Sequence, residues 1–127
     1  MLVNRTIAGL AAAIVLMAPA LARANDISVG VTLACDTAAQ VESFVAKFDG
    51  DAKAAIEAVN DEENKANACI VAALGFIKGK SLQTVRNRDN AYEVTEILVV
   101  GAVTGQGFVL VQPVRWFTAV QLPEIRS

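Results

Sequence analysis

"AYEVTEILVVGAVTGQGFVLVQPVRWFTAVQL", residues 91–122, decides the fold. Its first part, Ala91–Thr104, is dense in β-branched residues, and its second, Phe108–Leu122, repeats that chemistry after Gly105-Gln106-Gly107. Two such runs joined by a short glycine turn read as a β-hairpin. Alternation in the first run starts on Tyr92 and Val94, then shifts phase to Ile97 and Val99. That slip predicts a bulge near Thr95 and Glu96, or burial on both faces. Pro113 interrupts the second run and belongs at an edge or a bend. At about 3.3 Å per residue each strand would span roughly 40 Å, too far for flat sheet in a small domain. Gly101 and Pro113 are the expected bending points, and the sheet should curl towards a small open barrel.

Upstream, "SLQTVR" (81–86) is a short strand candidate closed by the turn residues Asn87, Asp89 and Asn90. "ACIVAALGFIKG" (68–79) is apolar on both faces, and Asn67 and Gly79 could cap a short helix there. The strand reading is preferred because everything downstream is strand-like, with Gly79 and Lys80 as a tight turn into the next strand. "DEENKAN" (61–67) is a solvated loop. Before it, Ala38, Val41, Phe44, Val45 and Phe48 recur at helical spacing, with Thr37 and Gln40 forming a capping box and Gly50 a stop. A second helix follows in "DAKAAIEAVN", with a stripe of Ala52, Ala55, Ile56 and Val59 behind Asp51. "ISVGVTL" (27–33) alternates as a half-buried strand or forms a loose arm. The expected fold class is α+β: an N-terminal helical hairpin packed on a curled antiparallel meander of four to five strands, stapled by one disulfide.

The amino terminus points to export. Ile7–Ala22 is an uncharged run behind a weakly positive start, and Ala22 and Ala24 have the spacing that a signal peptidase reads. As a helix this run reaches only about 24 Å, short of the roughly 30 Å hydrocarbon core. Residues 1–24 are therefore expected to be a cleaved signal, with residues 25–127 forming one domain. "TLAC" ending at Cys35 is not a lipoprotein box, because Thr32 stands where leucine is required. Removing Arg5 and Arg23 from a chain of net charge −2 leaves about −4 and no basic stripe, which argues against nucleic acid.

Cys35 and Cys69 are the two cysteines, and in an exported chain such a pair reads as a structural disulfide. The sequence holds no histidine, which removes the usual serine and cysteine triads and most zinc sites. "GFIKGKS" (75–81) imitates a phosphate loop, but only three residues separate Gly75 from Gly79, and a strand follows. "DGDAK" at Asp49 imitates a calcium loop, but Lys53, Ala54 and Asn60 fall where ligand, glycine and glutamate are needed. Glu93 and Glu96 are the carboxylates best placed for a hydrolase.

A binding patch is the remaining option. Tyr92, Arg86, Arg88, Arg115 and Trp116 are residue types favoured in binding hot spots, while the plainer reading places Trp116 in the core. Adjacent in a strand, Trp116 and Phe117 should face opposite ways. The expectation is a small non-enzymatic protein, periplasmic or secreted, without metal or cofactor, that binds an envelope protein or glycan. No nucleic-acid partner and no stable membrane insertion are expected once the leader is gone. The alternatives are a carboxylate-dependent hydrolase and a membrane-tethered protein that retains its leader.

Overall fold

The computed structural model describes residues 26–123. The cleavage-site residues Ala22 and Ala24, with the rest of the leader, lie outside them. The chain runs β1 (Ile27–Cys35), α1 (Ala38–Lys47), α2 (Ala52–Glu62), β2 (Cys69–Arg86), β3 (Ala91–Thr104) and β4 (Gly107–Gln121). All strand pairs are antiparallel in the order β1-β2-β3-β4, and a single pair, Cys35 opposite Phe117, closes them into a ring. The helical pair follows the first strand rather than standing at the amino terminus.

Local chemistry explains the helices. Thr37 Oγ1 accepts from Gln40 N at 3.2 Å and Gln40 Oε1 accepts from Thr37 N at 3.0 Å, completing the capping box. Asp51 caps α2 by accepting from Ala54 N at 3.1 Å. Gly50, between the helices, takes φ 113°, a conformation that a side chain disfavours. Val41, Phe44 and Val45 of α1 and Ala55 and Val59 of α2 pack onto Cys35, Cys69, Tyr92 and Val94 of the sheet.

Residues 68–79 are strand, as expected, but they are not followed by a turn. β2 continues without interruption to Arg86, so the short strand expected over 81–86 is its second half. Two register shifts against β3, between Lys78 and Ser81 and between Ser81 and Gln83, coil the strand instead of ending it. Gly79 permits this: a Cβ there would come within 2.9 Å of Glu96 O. The phase slip at Thr95 and Glu96 is real, with the extra residues on β2 rather than β3. Val94 and Thr95 are both fully buried, because β3 turns one face to the helices and the other into the ring.

Ala34, Leu74, Ile97 and Val99 form a second core cluster, flanked by Ala72, Ala102, Phe76 and Trp116. Among the described residues no helix covers that face, and the ring itself encloses it. The recurrent alanines suit the narrow interior of four strands. Pro113 sits in the expected bend: Val111, Gln112 and Pro113 together oppose Val100, between the pairs Val99–Val114 and Gly101–Leu110. A proline there removes no ladder hydrogen bond.

Candidate functional site

Gly75 and Gly79, the glycines that imitate a phosphate loop, are both packing positions, Gly79 against the Glu96 carbonyl and Gly75 under an aromatic ring. Gly75 lies opposite Gly101, and the Phe108 ring covers both. A Cβ at Gly75 would fall 2.4 Å from Phe108 Cε1, and one at Gly101 would fall 2.3 Å from its Cζ. In the other imitation, Asp49 accepts from Asp51 N and Asp51 caps its helix, so both carboxylates serve the turn between helices. Among the described residues no three metal-ligating side chains converge.

Glu93 and Glu96 do not form a catalytic pair. Three apart on a strand, they leave opposite faces of the sheet. Glu93 accepts from Ser81 Oγ at 2.9 Å, and Glu96 pairs with Arg115 at 3.3 Å. Glu62 is the carboxyl with a resolved shift: the Lys47 ammonium, then the Ser43 hydroxyl, hold it below the ordinary carboxylate range. Those contacts join the exposed ends of α1 and α2 and enclose no cleft.

The five residues of the expected patch are not brought to one surface. Tyr92 is buried against the helices, only 6% exposed. Trp116 is half-buried beside the ring cluster and Phe117 beside the helix cluster, so the two do face opposite ways. Arg86 and Arg88 are exposed at the β2–β3 turn. Arg115, opposite Leu98, is six pairs along the ladder from Tyr92, or about 20 Å. The Tyr92 hydroxyl has no hydrogen-bond partner among the described residues. Removing it in Tyr92→Phe relieves an unsatisfied buried group and is expected to raise stability by about 1 kcal/mol in denaturant titration. A loss of similar size would show that the hydroxyl is paired in solution.

Another surface stands out. The helices cover only one end of the sheet face on which they lie. Beyond them Val29 (58% exposed), Val31 (76%) and Leu110 (74%) stand in solvent with Ile27, Val71 and Leu98. Directly paired residues share a face. Val29 opposes Gly75, Gly75 opposes Gly101, and Gly101 opposes Leu110. With Phe108 lying over the two glycines, the exposed side chains form one surface running from β1 to β4. No charged residue occurs in β1, from Cys69 to Ile77, or from Ile97 to Val114. Every charge of the described chain lies outside those stretches; Arg115, opposite Leu98, and its ion-pair partner Glu96 border the surface on the same face.

At the seam between this face and α2 lies an open groove of about 530 Å³, lined by Ala52, Ile56, Ala66, Cys69 and Val71 with Lys53 and Glu57 at its lip. Asn60 holds the seam in place: its Oδ1 accepts from Cys69 N at 2.8 Å and its Nδ2 donates to Cys69 O at 3.2 Å and Ala66 O at 2.9 Å. The aromatic and basic residues do not converge on one surface, whereas the three uncharged stretches, visible in the sequence, come together on one face.

The Cys35–Cys69 disulfide is formed, across directly paired positions of β1 and β2. No helix among the described residues is long and apolar enough to cross a membrane. Comparison of the chain with protein-family models, curated proteins and solved structures gives no match.

Proposed function

We propose that the chain is an exported, non-enzymatic binding protein whose exposed apolar sheet face receives another protein of the cell envelope. The observation that carries this reading is the face itself. Single exposed apolar residues are ordinary, whereas a contiguous set spanning four strands marks an interaction surface. The disulfide supports an oxidising compartment, and the leader-like residues 1–24 support export to the periplasm or beyond. A protein suits the face better than a glycan. Sugar recognition relies on exposed aromatic platforms and polar groups, and Phe108 is the one aromatic ring exposed here.

Leu110→Asp tests the proposal with little risk to the fold, because the side chain is 74% exposed. Partners from envelope extracts are captured on wild type, Leu110→Asp and Arg88→Ala, and their affinities are then measured with the purified components. The expected result is affinity at least about tenfold weaker for Leu110→Asp and unchanged for Arg88→Ala. Equal affinity for all three chains would remove the face from the function.

A further inference from the structure

Among the described residues, β1 has one hydrogen-bonded edge and one open edge. Its pairing with β2 is regular from Ile27–Ile77 to Cys35–Cys69, without a bulge, whereas β4 meets it only at Cys35. The direction of its backbone groups follows from the end of the ladder. Asp36 N donates to Ala68 O at 2.9 Å, while the N–H and C=O of Cys69 are both taken by Asn60. Cys35 and Cys69 are therefore a non-hydrogen-bonded pair, consistent with their Cα separation of 4.0 Å. By alternation, the N–H and C=O groups of Ile27, Val29, Val31 and Leu33 point away from β2, towards the open edge. Those groups have no strand partner among the described residues.

Exposed edges are ordinarily guarded by charge, proline or a bulge. β1 has none of these, and its outward-bonding residues Ile27, Val29 and Val31 are also exposed on the apolar face. The occupant must supply both backbone partners and apolar side chains. Lipid satisfies only the second need, and open strand edges are not tolerated in hydrocarbon. A strand that carried a charge would leave it unpaired against these aliphatic residues, and β1 itself carries none.

We infer that the open edge of β1 pairs antiparallel with β1 of a second copy of this chain, forming a twofold dimer with one continuous sheet. The register is determined. Placing Gly30 on the twofold axis sets Ile27 opposite the partner's Leu33 and Val29 opposite the partner's Val31, which satisfies all of the outward groups in β1. The dimer joins two apolar faces side by side and so doubles the proposed binding surface. It goes beyond that reading, because it forms whether or not a further component binds.

Val31→Pro is the decisive variant. The Val31 N–H points outward, so proline leaves the β1–β2 ladder intact and blocks only the new one. Sedimentation of the purified, disulfide-bonded wild-type chain is expected to show a monomer–dimer equilibrium. Val31→Pro should weaken it by about a hundredfold, since symmetry counts each lost bond twice. Circular dichroism and melting check that the variant folds. Should it not, Val31→Lys, which sets like charges near the axis, serves the same purpose. Amide exchange gives a readout without substitution: Val29, Val31 and Leu33 should be protected at high concentration and lose protection on dilution. A wild-type chain that stays monomeric, or a dimer indifferent to both variants, overturns the inference. So does a monomer that instead associates with neutral phosphatidylcholine vesicles, which would assign the face to lipid.

Discussion

Replacing Cys35 and Cys69 together by alanine is expected to lower the unfolding free energy by about 4 kcal/mol, read as a lower denaturant midpoint with a steeper slope, because the uncrosslinked unfolded chain expands. The bridge closes a loop with sequence separation 34, and the chain-entropy model gives that order of cost for releasing it. For a domain of this size that is a large share of the total stability. Position adds to the effect. Cys35 is also the one residue of β1 that pairs with β4, so the covalent link anchors the only point at which the ring closes. Amides of β1 should therefore lose exchange protection first, before those of the β3–β4 hairpin. Both sulfurs are buried at 1% exposure, so alanine introduces no polar group and only a small void. An unchanged midpoint would mean that packing by α1 and α2 alone holds the ring closed.

Most of the architecture was legible because its signals are local. The Thr37–Gln40 capping box, the Asp51 cap and the helical spacing of Val41, Phe44 and Val45 all lie within a few residues of what they determine. Pro113 likewise marked its bend, and the phase slip at Thr95 marked burial on both faces of β3. Gly79 was misread because a glycine next to a lysine looks the same in a turn as in a coiled strand. Only its distance from Glu96 O, a contact made across the sheet, separates the two cases. Tyr92 was misread for a related reason. Its side chain alternates with Val94 towards the helices, and nothing near it in sequence says that helices cover that end of β3.

The exposed apolar face was hidden differently. Gly75 and Gly101 are far apart in sequence, and their juxtaposition depends on register shifts that no local pattern fixes. Without that alignment Phe108 reads as one more alternating apolar residue. The lack of charge in β1 and from Ile97 to Val114 was plain to see, yet in a chain that is 54% hydrophobic it resembles an ordinary core. What distinguishes surface from core is coverage. The helix pair is shorter than the sheet it lies on, and that fact belongs to the assembled fold.

Asn60 offers the sharpest test of how the covered and bare ends of that face are kept apart. Its carboxamide meets Cys69 as a neighbouring strand would, accepting from the N–H at 2.8 Å and donating to the C=O at 3.2 Å. It therefore stands in for a β3 that has already turned away: β2 first pairs with β3 at Leu74. Asn60→Ala leaves the backbone N–H of a residue only 1% exposed without a partner. The expected loss is about 2–3 kcal/mol, more than for an ordinary surface hydrogen bond. Asn60→Asp separates the two halves of the interaction. Its carboxylate still accepts from Cys69 N but sets negative charge against the Cys69 and Ala66 carbonyls, so at neutral pH it should be no better than alanine. Those carbonyls favour the protonated acid and raise its folded-state pKa above the unfolded one. The aspartate variant should therefore regain stability relative to Asn60→Ala as the pH falls through that folded pKa, with the gain complete below the unfolded value, about 4. Parallel curves for the two variants across that range would show that the carbonyls do not need a donor. The seam between α2 and β2 would then be held by the apolar contacts of Ala55 and Val59 alone.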